Sequence, residues 1–120
     1  MKSPVKNWND VKFKNFIISL IRSGLRKFPN RSECLKEAKT QKKINESSGR
    51  LAQHYKCAKC KKDFPMTQVQ VDHIEPVVDV KKGFVDWNTY IARMYCVIEN
   101  LQVLCKPCHK IKSDKERKLR

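Results

Sequence analysis

Apolar residues recur at helical spacing near the start of the chain. Phe13, Phe16, Ile17, Leu20 and Ile21 fall on one side of residues 11–25, while Lys12, Lys14, Arg22 and Arg26 point elsewhere, which predicts an amphipathic helix. Pro29 is expected to end it. Asn30, followed three residues later by Glu33, has the form of a capping box opening a shorter second helix through Leu35 and Ala38. Residues 39–50 show no apolar period, and their basic and polar composition predicts a linker or loop.

From Leu51 the pattern changes to short alternations. Residues 68–73 alternate apolar and polar side chains, as a strand arriving at Asp72-His73 would, with Pro76 limiting its continuation. Lys81-Lys82-Gly83 predicts a turn. Asp86 can cap a helix whose Trp87, Tyr90, Ile91 and Met94 repeat at the helical period, extended by Tyr95, and this stripe is expected to face a core. Residues 99–105 alternate again as a second strand, and Pro107 suits the first turn of a basic helix. The expected class is α+β. Residues 1–50 read as a helical extension with a basic linker, and residues 51–120 as a strand, strand, helix core.

Four cysteines give that core its chemistry. Cys57-Ala58-Lys59-Cys60 and Cys105-Lys106-Pro107-Cys108 are two Cys-x-x-Cys knuckles, and each tight turn points two sulfurs the same way. Together they can offer four thiolates to one tetrahedral zinc. A small domain of 120 residues gains much from such a structural metal. A Cys3His site using His109 is the alternative, but the four cysteines already fill a tetrahedral sphere. Cys34 and Cys96 are expected to be ordinary buried thiols in helical surroundings.

Charge changes the picture next. Lys and Arg number 27 against 12 acidic residues, a net charge of +15 that zinc bound to four thiolates lowers only to about +13. Self-repulsion on that scale costs stability and attracts polyanions, nucleic acid foremost. The longest apolar run near the N-terminus, residues 16–21, is interrupted by Ser19 and is too short to span a membrane. With thiolate ligands favouring a reducing compartment, the expected location is intracellular, in the cytoplasm.

Between the knuckles lie Asp72, His73 and Asn100, and His109 directly follows the last cysteine. Asp72 offers a hard anionic oxygen and His109 a ring nitrogen to a divalent ion, with positions left for water and phosphate. His73 is of the residue type whose imidazole titrates near neutral pH in general and so can take a proton from water. Strand neighbours point to opposite faces, so a bend before Pro76 is expected to turn Asp72 and His73 toward one cleft.

With the segments Val71-Asp72-His73-Ile74-Glu75-Pro76 and Glu99-Asn100-Leu101-Gln102, these residues resemble the HNH endonuclease family, in particular the small cysteine-bearing type of bacteriophages. The resemblance covers residues 51 to about 118, and the N-terminal helical segment is also similar to that of the phage proteins. It implies a ββα-metal core with signature positions at His73, Asn100 and His109. It also implies a metal-dependent nuclease that cuts or nicks DNA to 5′-phosphate and 3′-hydroxyl ends, with structural zinc and a catalytic Mg²⁺, Mn²⁺ or Ni²⁺. Asn100 would orient His73 by hydrogen bonds, with direct ligation as the alternative. The implied partners are DNA and phage packaging proteins such as a terminase, in the cytoplasm of an infected bacterium.

Among the basic residues, Lys110, Lys112 and Lys115 on the last helix are the first phosphate-contact candidates, followed by Arg22, Arg26 and Lys27. His54 is expected to be structural, and Glu75 dispensable. A non-catalytic zinc-knuckle module that binds nucleic acid as a scaffold, or an RNA-binding zinc ribbon, would explain the cysteines and the charge. Either would leave Asp72, His73 and His109 without a task.

Overall fold

Helix α1 occupies Asp10–Ser23 in a computed structural model that describes residues 1–120. It starts at Asn9, whose side chain accepts the Lys12 N–H at 2.7 Å. A 3₁₀ turn, Gly24–Lys27, leads to α2, Pro29–Glu37. The expected capping box does not form. Instead α2 begins at Pro29 itself, where a missing N–H leaves nothing unsatisfied, so the proline opens the second helix, the first having ended at Ser23. Asn30, released from capping, donates its side-chain amide to the Cys96 carbonyl at 3.0 Å and ties α2 to a distant segment.

No residue of α1 is buried. The helix is located by a few contacts: the Tyr95 hydroxyl donates to the Ile21 carbonyl, the Phe28 ring meets Tyr95 edge-on at 5.1 Å, and the Lys14 ammonium lies 3.8 Å from the Phe84 ring centre. Gly24 is required here, because a Cβ would collide with the Tyr95 hydroxyl.

The expected linker is a strand. β1, Lys39–Ile44, pairs antiparallel with β2, Leu51–Lys56, which pairs in turn with β3, Asp63–Pro65. Five of the six β1 side chains are exposed, so nothing in the apolar pattern could reveal a strand held by its backbone ladder. The hairpin also straddles the division expected between residues 50 and 51.

A second sheet holds the region of interest. β4, Val69–His73, and β5, Leu101–Cys105, run antiparallel in unbroken register from Val69 opposite Cys105 to His73 opposite Leu101. Between them α3, Trp87–Met94, is capped by Asp86, which accepts the Thr89 N–H at 2.7 Å. α4, Lys106–Lys118, continues directly from β5 with Pro107 in its first turn. The helices and antiparallel sheets make an α+β protein.

Val69, Leu101 and Val103 pack with Cys34 and Tyr55 in one core cluster, and Leu104 packs with Cys57 and Cys105 in another. Tyr90 and Met94 are buried as the stripe predicts, whereas Ile91 is exposed. Cys34 is buried in α2, but Cys96 is half-buried and lies beyond the end of α3. No helix is long and apolar enough to cross a membrane.

Candidate metal centre and adjoining cleft

The two knuckles are drawn together by backbone bonds before any side chain is considered. Ala58 donates its N–H to the Val103 carbonyl at 2.8 Å, which lays the first knuckle against β5. The Lys61 N–H closes the knuckle onto the Cys57 carbonyl at 3.0 Å, and Lys61 takes the left-handed conformation (φ +66°) that this turn demands. Cys105 ends β5 and Cys108 sits in the first turn of α4. All four sulfurs then lie within 4.8 Å of one another, with Cys60 and Cys105 at 3.9 Å.

Those separations fit a single ion. A tetrahedral zinc with bonds of about 2.3 Å sets its sulfurs about 3.8 Å apart. Crowding splits the thiols electrostatically. Burial opposes ionisation of Cys57, but hydrogen bonds from the backbone at Cys105, Cys60 and Lys59 outweigh it and bring the pKa down to about 6. Cys108 is pushed up to about 12, first by its hydrogen bond with Cys105 and then by burial. One thiolate thus forms readily while Cys105 and Cys108 hold their protons more tightly than ordinary thiols. The four cysteines can hold a metal ion, and a divalent cation supplies the charge that lets all of them ionise.

Beside this centre a cleft of about 490 Å³ is bordered by β4, α3, α4 and the end of α1. Asp72 Oδ1 lies 3.5 Å from His109 Nε2, and Asp72 Oδ2 is held by Gln102 Nε2 and Lys112 Nζ, both at 3.1 Å. The register explains Gln102, which stands directly opposite Asp72 in the ladder. His73 turns to the other helix and donates Nε2–H to the Met94 carbonyl at 2.8 Å. A carbonyl only accepts, so the proton resides on Nε2, and in the neutral ring Nδ1 keeps its lone pair.

Asp72 and His73 therefore border one cleft without leaving the strand. The ladder continues to His73, and the Ile74 N–H still donates to the Asn100 carbonyl at 2.8 Å. The expected bend comes after these residues. There Asn100 Oδ1 accepts the Glu75 N–H at 3.0 Å and fixes the chain leaving His73.

Lys112 is engaged within the protein itself. Its ammonium donates to Asp72, to Glu116 Oε1 at 2.7 Å and to the His73 carbonyl at 2.9 Å, which uses all three of its N–H groups. Burial works against this charge, but the hydrogen bonds it donates to Glu116 and Asp72 hold its pKa above the ordinary lysine value. Lys110 is exposed beside Asp114, at 3.1 Å, and Lys115 borders a separate groove with Ala58, Leu104 and Ile111. Arg22 borders the cleft. Arg26 lies outside it, its Nε donating to the Ser23 carbonyl at 3.4 Å. His54 is buried and donates Nδ1–H to the Ala52 carbonyl at 2.9 Å, a structural bond.

Sequence reasoning missed Gln102, the Met94 carbonyl and the clamp formed by Lys112 and Glu116. Gln102 was accessible from strand pairing, whereas a backbone carbonyl carries no residue-type signal. No family model, curated protein or solved structure matches the chain, so what the site does rests on its own geometry.

Proposed function

We propose that this protein is a metal-dependent endonuclease of the HNH type that hydrolyses phosphodiester bonds in DNA. β4, β5 and α4 form its ββα unit, and Cys57, Cys60, Cys105 and Cys108 hold a structural zinc. Asp72 and His109 hold a second divalent ion, Mg²⁺, Mn²⁺ or Ni²⁺. Their 3.5 Å separation suits two ligands on one ion, since bonds of about 2.1 Å at right angles put ligand atoms about 3 Å apart. The observation that carries the reading is the His73–Met94 bond, which leaves the Nδ1 lone pair free on a residue that lines the same cleft as that donor pair.

His73 Nδ1 takes a proton from a water whose oxygen attacks phosphorus, and the bond from phosphorus to the 3′ oxygen breaks. The departing oxygen takes a proton from solvent water, so the products are a 5′-phosphate and a 3′-hydroxyl. When bound, the divalent ion neutralises charge on the phosphate and on the departing oxygen. Asn100 holds the segment after His73 in place, so the base keeps its position between β4 and α3. Arg22 brings positive charge to the rim, where a backbone phosphate would lie. In this reading the activity belongs to phage DNA processing, with packaging proteins such as a terminase as partners.

One observation favours a second reading, a non-catalytic nucleic-acid-binding module: Lys112 already neutralises Asp72 at 3.1 Å, as a substitute cation would. Supercoiled plasmid separates the two. The zinc-loaded protein should convert it to nicked or linear forms only with added divalent metal. His73→Ala should lose about a hundredfold or more in rate while keeping its zinc and its DNA affinity. If parent and variant only retard the plasmid, the binding-module reading replaces the nuclease.

A further inference from the structure

The β1–β2 hairpin runs out beyond the core. Side chains two apart on a strand share a face, so Lys42 and Ile44 stand together on β1, across the ladder from Gln53 and Leu51. On β2 that face begins at Tyr55, 6% exposed within the core, and ends at Leu51, 65% exposed. Ile44, the partner of Leu51, is 57% exposed. An apolar pair open to water at the end of a ladder contributes little to folding.

Charge and rigidity accompany this pair. Lys39, Lys42 and Arg50 are exposed and form no ion pair, while Lys43 on the opposite face is held by Asp63. The turn is internally bonded: the Asn45 carbonyl accepts from Ser48 and Gly49, Asn45 Oδ1 accepts the Ser47 N–H at 3.0 Å, and Gly49 supplies φ +72°. An extra β1 residue between Lys39 and Lys42 adds twist. The arm is ordered beforehand, so seating it on a partner costs little conformational entropy.

We propose that this hairpin is a DNA-binding arm that enters a groove of the duplex, with Lys39, Lys42 and Arg50 on phosphates and Ile44 with Leu51 against sugars and base edges. A two-stranded ribbon fits a duplex groove, and apolar side chains beside basic ones suit its floor and walls. The chain's net charge of +15 selects a polyanion over a neutral partner. Six strand residues span about 20 Å, enough to follow the groove past several phosphates. The identity of the partner rests on the nuclease reading, whereas the arm itself rests on the exposed, unpaired face.

The test uses the full zinc-loaded chain carrying His73→Ala to prevent cleavage, and a short fluorescein-labelled duplex titrated at several salt concentrations. Combining Lys39→Gln, Lys42→Gln and Arg50→Gln should lower the slope of log affinity against log salt by about two to three, because each phosphate contact contributes about 0.9. Ile44→Thr with Leu51→Thr should weaken binding about tenfold at nearly unchanged slope, as apolar contacts release no counterions. Both sets of changes are at exposed positions, and circular dichroism with zinc content verifies folding.

Unchanged affinity and slope in both folded variants overturn the arm while leaving plasmid cleavage by the parent intact. Hairpin-dependent binding by a parent that fails to cleave overturns the nuclease and supports the arm. Absence of duplex binding by the parent overturns both. If only Ile44→Thr with Leu51→Thr acts, and it acts on sedimentation of the protein alone, the tip packs on a second copy and the DNA arm is overturned.

Discussion

α1 and the β4–β5–α4 end are stabilised by opposite means. α1 is fourteen residues long and buries none of them, with Leu20 more than half exposed. At the other end Cys57 is completely buried, and Val103 and Leu104 are each 3% exposed around thiols that can hold a metal. The first region is an attachment located by Tyr95 and Phe28. The second is a sheet whose interior continues into a four-cysteine cluster that can hold a metal ion. Amphipathicity read from sequence predicts a helix equally well in either setting, but says nothing about how much of its apolar side is covered.

Breaking the metal centre should produce the largest effect. Cys60→Ala leaves three thiols, and structural zinc sites bind with about 10–16 kcal/mol, comparable to the entire stability of a small domain. Zinc analysis and circular dichroism should show lost metal and a melted β4–β5 region. A fully folded variant with undiminished zinc would refute the four-thiolate site. Acidification should act through the same centre. Binding must displace protons from Cys105, raised by burial, and from Cys108, raised first by its bond with Cys105, so affinity increases with pH. As pH falls through about 6 even Cys57 is protonated, and chelator competition should record steeply weakening affinity. Affinity independent of pH would contradict thiol ligation.

Gly24→Ala should disturb only the attachment. The new methyl group meets the Tyr95 hydroxyl, and relieving that overlap costs about 1–3 kcal/mol. Limited proteolysis should find α1 more accessible while zinc content stays unchanged. Metal loss in this variant would mean that the two regions are not independent. The smallest effect is expected at Tyr90, whose buried hydroxyl has no partner. Tyr90→Phe removes an unpaired polar group and should leave the thermal midpoint unchanged or raise it, by no more than about 1 kcal/mol in stability. A large loss of stability would show that the hydroxyl is paired.

The knuckles, the two site strands and the Asp86 cap were legible because each is announced by side chains: paired cysteines, alternation into a core, an aspartate before a helical stripe. β1 was not, since both its faces meet water and its pairing is made by peptide groups common to every residue. Pro29 suggests a stop for the first helix but is the start of the second, and only the fold decides which side of a proline continues. At the candidate site Asp72, His73 and His109 border one cleft, and Asn100 holds the segment that follows His73. The Met94 carbonyl and the three acceptors around Lys112 depend on how α3 and α4 approach β4, which residue types do not encode.

The bond from Ala58 to Val103 has a consequence during synthesis. The first knuckle needs β5 as its platform, and Cys60 meets a Cys105 that lies 45 residues later in the chain. At about 5–20 residues per second, a ribosome takes about 2–9 s to add that stretch. Throughout the interval Cys57 and Cys60 are a half-built ligand pair, able to offer a metal only two sulfurs. Only β5 together with the first turn of α4, which brings Cys108, completes the four sulfurs, so a metal can be held late and locks a fold that its own ligands cannot begin.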